Sequence, residues 1–456
     1  MMTDVPVSTL VDLVGADVVS LDPEVLASYR WDNAEESGAQ TPLAVARPRD
    51  AGQVQEIVRW ASRNRVPVVP RGAGSGLSGG AEGLDGAITI SMERMRAIQI
   101  DPRAHTATVE PGLFNAEVKA AAAEYGLWYP PDPSSFEICS IGGNIATNAG
   151  GLCCVKYGVT TDYVLGLDVV LADGTLVRLG GPQIKDTAGL SLVKLFVGSE
   201  GTLGIVTRAI LRLVPARGEP STLVATFDSV ENATEAVVAI RQVIRPAMLE
   251  FMDRASTCAV CDYSGEDLDR DAAAMLIIQS DAPEPVRSQE IARMDEICRE
   301  HAPIMTRVCS GAEEGERYAA ARRAVFPALG ARGKLMYGDV GVQIPLLPRL
   351  VDGITEIGER HGMDVSVCAH AGDGNTHPNV VFDADDPNAE ERATTVFHEI
   401  MDLAISLGGT ITGEHGVGRA KRDSLPDQLG PDVMLLTRRI KDALDPDGIL
   451  NPGVMM

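Results

Sequence analysis

Val68-Val69-Pro70-Arg71-Gly72-Ala73-Gly74-Ser75-Gly76-Leu77-Ser78-Gly79-Gly80 is a short β-type run that passes straight into a loop with glycine at 72, 74, 76, 79 and 80. Such a loop lets backbone N–H groups converge on a diphosphate, and Ser75 can add a hydroxyl donor. It is not the G-x-G-x-x-G dinucleotide fingerprint, because Gly74 leads into Ser75-Gly76-Leu77 and no periodic helix follows. It also lacks the Gly-Lys-Ser/Thr of a phosphate-binding P-loop. Taken alone, the segment reads either as a nucleotide cradle or as a surface turn.

Further segments of the same texture tip that balance. Pro130-Pro131-Asp132-Pro133 precedes Ser140-Ile141-Gly142-Gly143-Asn144-Ile145-Ala146-Thr147-Asn148-Ala149-Gly150-Gly151. Tyr157-Gly158 and Gly198-Ser199-Glu200-Gly201-Thr202-Leu203-Gly204-Ile205 follow. Thirteen of the 46 glycines of the 456-residue chain stand in these segments. Ordering so many glycines costs conformational entropy. Loops that run as backbone along a large, flat dinucleotide explain them best.

The remaining composition bounds the protein class. Hydrophobic residues are 45% and charged residues 23%, a globular mix, and the length suits more than one domain. A formal charge of -24 argues against a nucleic-acid partner or an anionic membrane surface. The first residues lack a basic stretch followed by an apolar run, and no apolar run approaches membrane-spanning length. Eight cysteines, with Cys258-Ala-Val-Cys261 the only C-x-x-C, do not make a disulfide or iron–sulfur framework. These features lead us to expect a cytoplasmic protein with reduced thiols.

Periodicity gives the organisation. Residues 1–40 predict one or two helices outside a core. Strands are expected at 43–46, 66–70, 87–90, 98–100 and 106–110, with a helix over 54–64. Residues 168–171 and 175–179 flank Ala172-Asp173-Gly174, a hairpin signal. Val214-Pro215-Ala216-Arg217-Gly218-Glu219-Pro220 is a boundary. Beyond it, strands at 222–227, 247–252, 273–279, 335–345 and 365–368 alternate with helices at 232–244, 286–301, 346–361 and 394–407. That order suggests an α+β body with helices on one face of an antiparallel sheet. Residues 409–456 read as turn-rich.

Ala369-His370-Ala371-Gly372-Asp373-Gly374-Asn375-Thr376-His377-Pro378-Asn379 can reverse at Gly372-Asp373-Gly374 and bring His370 and His377 face to face. A third charged ligand stands in Gly413-Glu414-His415-Gly416. Two imidazoles and a carboxylate are the makings of a catalytic Zn²⁺ or Mn²⁺ site. A loop histidine can equally be a hydrogen-bonded or solvated group, but only seven histidines exist and three lie in these two motifs.

On the segments 69–80, 130–151, 157–158 and 198–206, and on the closing Asn451-Pro452-Gly453, the chain resembles the flavin-linked D-2-hydroxyacid dehydrogenases. That family includes the catalytic subunit of bacterial glycolate oxidase, flavin D-lactate dehydrogenase and D-2-hydroxyglutarate dehydrogenase, all with the vanillyl-alcohol oxidase type of FAD fold. The likeness covers essentially the whole chain. It implies an α+β protein: an FAD-binding domain over 1–216 including the N-terminal helices, a cap or substrate domain of antiparallel sheet and helices over 217–408, and a segment, 409–456, returning to the first domain. The FAD would lie against Pro70, Arg71, Gly72, Ala73, Gly74, Ser75, Gly76, Leu77, Pro131, Asp132, Ser140, Gly142, Gly143, Asn144, Thr147, Asn148, Gly151, Tyr157, Gly158, Glu200, Gly204, Ile205 and Asn451. Some relatives attach FAD through a histidine in the first glycine loop; residues 69–80 contain none, so noncovalent FAD is expected.

The same resemblance makes His370, His377 and Glu414 the metal ligands, His415 the base and Asn379 a substrate neighbour. Arg322, rather than Arg323, matches the arginine that holds the substrate carboxylate. The implied reaction is oxidation of a D-2-hydroxyacid to the 2-oxoacid, with the hydroxyl polarised by the metal, its proton taken by His415 and hydride passed to flavin N5. The hydroxyglutarate enzymes place a lysine two residues before an aspartate; here Leu335-Met336-Tyr337-Gly338-Asp339 puts Tyr337 in that slot. A short or apolar tail, as in D-lactate or glycolate, is therefore favoured. The rival readings are an FAD oxidase of another alcohol or sugar and a non-catalytic flavoprotein subunit of a larger oxidase. Without an iron–sulfur motif of its own, the chain would hand electrons to a separate acceptor: an electron-transfer flavoprotein, a quinone-linked or iron–sulfur partner, or oxygen. A homodimer and peripheral membrane association through a partner are compatible assemblies.

Overall fold

The computed structural model describes residues 7–34 and 38–456. They form two compact units, Met1–Gly150 with Val159–Ala216 and Glu414–Met456, and Gly151–Gly158 with Arg217–Gly413. The sequence reading ends the second body at 408; the chain stays in it to Gly413, because Thr410 bridges Gly341 and the Gly413 N–H donates to Asp339 at 3.0 Å. Gly151–Gly158 joins it too, because Lys156 pairs with Asp281 and the Tyr157 hydroxyl donates to the same carboxylate.

In the first unit, Ala51–Asn64 is a helix because Asp50 caps it, accepting from Gln53 N at 2.9 Å, and Val54, Ile57, Val58 and Ala61 share one buried stripe. The stripe packs against a sheet in the order Val19–Ser20, Ala44–Ala46, Ile88–Ser91, Val68–Arg71, parallel over its last three strands. The helix Ser8–Val14 was expected outside the core, yet Leu10 is fully buried in this same cluster. Residues 1–6 and 35–37 of that N-terminal stretch lie outside the described residues. A second, antiparallel sheet runs Ile98–Asp101, Thr106–Val109, Ile205–Arg212, Val164–Val170, Leu176–Gly180. Its last two strands form the hairpin that the Asp-Gly pair signals.

Two readings of the first unit change. Residues 141–147 are a helix rather than an extended glycine loop, because the Ser140 hydroxyl caps it. Residues 425–444 form a helix, interrupted by non-helical Gly430 before Pro431. Its own prolines and glycine disguise it as turns, and Leu425 is its one buried residue, so no strong apolar stripe betrays it.

The second unit is built on one antiparallel sheet of eight strands. Its order is Met305–Val308, Ser221–Phe227, Ala274–Ser280, Met248–Asp253, Asp364–His370, Asn375–Phe382, Lys334–Tyr337, with Val340–Gly341 also paired to Asn375–Phe382. The strand expected over 335–345 thus breaks at Gly338-Asp339 and ends in a turn of 3-10 helix at Ile344–Leu346. All seven residues of Ala274–Ser280 are buried, so both faces of the sheet are covered, not one. On one face Val224, Met248, Met252, Met275, Ile277 and Cys368 pack against Ala259 and Val260 of the helix Arg254–Ser264 and Ala319 and Ala321 of Ala312–Arg323. Neither helix was anticipated. The opposite residues, Leu249, Phe251, Leu276 and Ile278, are equally buried.

Truncating one of these central residues tests the packing. Leu276→Ala is expected to lower unfolding free energy by about 2–5 kcal/mol, read from urea unfolding against the wild-type chain. A loss under about 0.5 kcal/mol would show that the strand is not core.

Candidate functional site

In the first unit, three of the glycine segments meet through hydrogen bonds rather than by simple proximity. The Ser140 hydroxyl accepts from Ala73 N at 3.1 Å and from Gly143 N at 3.3 Å, locking the first loop to the start of the 141–147 helix. Asn451 donates through Nδ2 to the carbonyls of Gly80, at 2.9 Å, and Glu200, at 2.7 Å. Gly74 has φ +74°, and a Cβ there would lie 2.1 Å from the Arg71 guanidinium, so only glycine fits. Arg71 is buried, donates to Ala81 O at 3.0 Å and stacks over Tyr29. Residues 72–77 are left partly accessible along the loop crest. A cavity of about 360 Å³ opens here, lined by Tyr29, Arg71, Gly72, Ala73, Phe114 and Ser140 among others.

Other residues assigned to the cofactor have protein partners. A Cβ on Gly142 would lie 2.6 Å from Pro111, and one on Gly204 would lie 2.5 Å from Val169, so tight packing alone accounts for both glycines. Asn144 Oδ1 accepts from Asn115, which also donates to Pro131 O. Thr147 donates to Gly143 O, and Asn148 accepts from Thr161 N. Tyr157 and Gly158, with Gly151, sit in the second unit. Asp132 is part-buried, and Pro131 and Ile205 are buried.

Glu200 is fully engaged. Its two carboxylate oxygens accept from Val417 N at 2.7 Å and Gly418 N at 2.8 Å. The Ser78 hydroxyl donates to His415 O at 3.1 Å, and Arg419 N donates back to Ser78 O at 2.8 Å. Gly418 (φ +55°) must be glycine, since a Cβ would lie 1.8 Å from Ser78 O. The turn after Glu414-His415 is therefore clamped to the first glycine loop within one unit. Sequence reading assigned Glu200 to the cofactor and did not anticipate this clamp.

In the second unit, the antiparallel pair Asp364–His370 and Asn375–Phe382 sets Cys368 opposite His377. His370 and His377 consequently share a face, their ring centroids 5.0 Å apart and their planes at 89°. Both are buried. His370 Nδ1 lies 2.9 Å from each carboxylate oxygen of Glu250; His377 Nδ1 lies 3.3 Å from Gly338 O and 4.0 Å from Asp339. With Nδ1 turned to the protein, the ligating nitrogen of either ring would be Nε2, and paired buried imidazoles of this kind fit a divalent cation. Asn379 donates to His377 O at 2.9 Å, while its Oδ1 is buried with no hydrogen-bond partner among the described residues.

Arg322 and Arg323 part company. Arg323 is a surface residue paired with Glu316, whereas Arg322 is fully buried with Nε 3.0 Å from Glu250. Phe326 stands edge-on to both Tyr337, at 5.6 Å, and His377, at 5.7 Å. Asp339 is also buried, accepting from Thr412 Oγ1 at 2.6 Å as well as from Gly413 N, so it fixes the chain up to the residue before Glu414. Glu414 and His415 themselves open the returning segment of the first unit. Sequence reasoning missed Glu250; the signal was an acid in the middle of the apolar run Met248-Leu249-Glu250-Phe251-Met252.

Comparison with known proteins decides the family. The FAD-linked oxidase C-terminal domain profile matches residues 219–455, and the FAD binding domain profile matches residues 42–180. The chain belongs to the FAD-linked oxidases. This FAD-linked oxidoreductase is 40% identical over 417 residues to the glycolate oxidase subunit GlcD of Bacillus subtilis, covering 91% of this chain and 89% of the relative. It is 38% identical to GlcD of Escherichia coli over 443 residues, covering 96% and 88%. It is 33% identical to a D-lactate dehydrogenase of Archaeoglobus fulgidus over 432 residues, covering 93% and 95%. The structure of p-cresol methylhydroxylase shares its fold, with a TM-score of 0.82 at 19% identity over 98% of this chain and 95% of that one. The oxidase thus has the vanillyl-alcohol oxidase type of fold.

Burial pushes the Glu200 carboxyl up to about 7, only partly offset by the Val417 and Gly418 N–H groups and by Lys421. A carboxyl raised above its ordinary value favours the protonated folded state. Its stabilising contribution is full below about 4.5 and is lost as pH rises through about 7. Urea unfolding between pH 5 and 8 is expected to show a fall in wild-type stability that Glu200→Gln lacks. Identical pH slopes in the two proteins would remove this assignment.

Proposed function

We propose that this FAD-linked oxidase converts a D-2-hydroxyacid, D-lactate or glycolate, to its 2-oxoacid. The observation that carries the reading is the buried His370–His377 pair with Arg322 held beside it through Glu250. Relatives covering nine-tenths of the chain or more, named for glycolate and D-lactate, support it. When bound, noncovalent FAD supplies the two-electron acceptor and a Zn²⁺ or Mn²⁺ ion supplies a Lewis acid for the substrate hydroxyl.

The residues of the chain do the rest. Residues of the 69–80, 130–151, 157–158 and 198–206 segments and Asn451 hold the flavin; the first unit serves as the FAD domain, and the second, which includes Gly151–Gly158 and runs to Gly413, as the substrate-binding cap. His370, His377 and Glu414 are the cation ligands. Arg322 binds the substrate carboxylate, for which a guanidinium offers paired donors. His415 takes the hydroxyl proton on its imidazole. The partnerless Asn379 Oδ1 suits acceptance of a hydrogen bond from the substrate. The Phe326–Tyr337 rings beside His377 favour a short or apolar tail over a second carboxylate. Electrons then leave for a separate acceptor, as the subunit names of the relatives suggest. No helix among the described residues is long and apolar enough to cross a membrane; a cytoplasmic protein that meets a membrane only through its partner fits this scheme.

Anaerobic mixing of the holoprotein with a panel of D- and L-2-hydroxyacids tests the proposal. Glycolate and D-lactate are expected to bleach the flavin faster than D-2-hydroxyglutarate, and L-lactate to leave it oxidised. Failure of every D-2-hydroxyacid to bleach it would sink the assignment, and unchanged bleaching after verified metal removal would sink the cation's part. Arg322→Lys is expected to lower kcat/KM for D-lactate by about 10- to 100-fold, the value of a charge-assisted hydrogen bond. An unchanged kcat/KM would take the carboxylate away from Arg322.

A further inference from the structure

Glu250 has no role in the reaction as set out above, yet it lies at the centre of the second unit. It stands mid-strand in Met248–Asp253 and is fully buried. The register that sets Phe251 against Ala369 and Met252 against Cys368 brings Glu250 alongside His370. Side chains two apart share a face, so Glu250 points the same way as Met248 and Met252, toward the helix that carries Arg322. Its carboxylate oxygens lie 2.9 Å and 2.9 Å from His370 Nδ1, and one of them lies 3.0 Å from Arg322 Nε. A carboxylate accepts only, so the His370 proton must sit on Nδ1.

We propose that Glu250 is a positioning residue that sets two binding groups at once: it fixes the His370 tautomer that presents Nε2 to the cation, and it fixes the Arg322 guanidinium for the substrate carboxylate. Two requirements usually met by separate residues are met by one side chain. The carboxylate orients the imidazole and raises its basicity as a ligand. It pairs with Arg322 at Nε, 3.0 Å away, and so holds the guanidinium in place in the buried interior. Cation affinity and substrate affinity therefore both depend on Glu250.

The proposal rests on the cation and carboxylate reading of this site, and the test separates the two. Binding is measured directly: Mn²⁺ to the metal-stripped holoprotein by calorimetry, and pyruvate, the 2-oxoacid product of D-lactate, by the perturbation of the flavin spectrum. Glu250→Gln keeps the shape of the side chain. It is expected to weaken Mn²⁺ by about 10- to 100-fold, the usual effect of losing a carboxylate behind a ligating histidine, and to weaken pyruvate as well. In a His370→Ala background the same change should no longer affect Mn²⁺ affinity, which a general structural role would not predict. Should Glu250→Gln fail to fold, Glu250→Gln/Arg322→Met removes the opposed buried charge together with it, and must bind Mn²⁺ at least tenfold more weakly than Arg322→Met alone. Wild-type protein that binds neither Mn²⁺ nor pyruvate would overturn the site reading itself. Wild-type that binds both, with Glu250→Gln within twofold of it for each, would overturn the role of Glu250 alone.

Discussion

A carboxylate in the interior of an antiparallel sheet has no water to solvate it and must be met by donors from the protein. Glu250 imposes that condition on the second unit. Its neighbours across the sheet and above it are His370 and Arg322, so the strand pairing and the helix packing must both deliver a donor to one point. The sheet order that places Met248–Asp253 beside Asp364–His370, and the turn that returns Asn375–Phe382, follow one geometry. Together they put His377 5.0 Å from His370 and Asn379 just beyond it. Glu250, His370 and Arg322 thus meet one another in a small buried patch, while apolar residues fill much of both faces.

The first unit solves a different problem, that of holding glycine-rich backbone still. The loop after Val68–Arg71 is tied to the 141–147 helix by Ser140, to the C-terminal segment by Asn451 and to the turn after His415 by Ser78. Glu200 clamps that turn from the other side. Segments separated by more than 200 residues in the chain are thereby joined by single side chains. Some residues that resemble cofactor contacts serve in this way as internal ties, which leaves the loop crest, the Ser140 junction and the adjoining cavity as the surfaces best suited to the flavin.

Much of this was legible before any coordinates. Val54, Ile57, Val58 and Ala61 announce a helix, Asp173-Gly174 a hairpin, and Gly372-Asp373-Gly374 the reversal that faces His370 toward His377. The helices missed share a cause. Ile141–Thr147 is written in glycine and small residues, and Leu425–Leu444 in prolines and exposed side chains, so each lacks the apolar stripe by which a helix is recognised. Arg254–Ser264 and Ala312–Arg323 are short on large apolar residues and bury mainly Ala, Val and small polar groups.

The sequence by itself determined the FAD-linked family, set out a two-body organisation and named the residues proposed for the chemistry, because these rest on residue types and spacings that are local to each motif. It favoured Arg322 over Arg323 by resemblance, but gave no physical reason why one of two adjacent arginines lies inside. That reason belongs to the tertiary structure, for only the packing of a helix on a sheet sets one arginine against Glu250 and leaves its neighbour partly exposed beside Glu316. The same holds for Glu200 and Glu250. An acid becomes a clamp or an orienting group only when long-range folding removes its water and supplies donors in return.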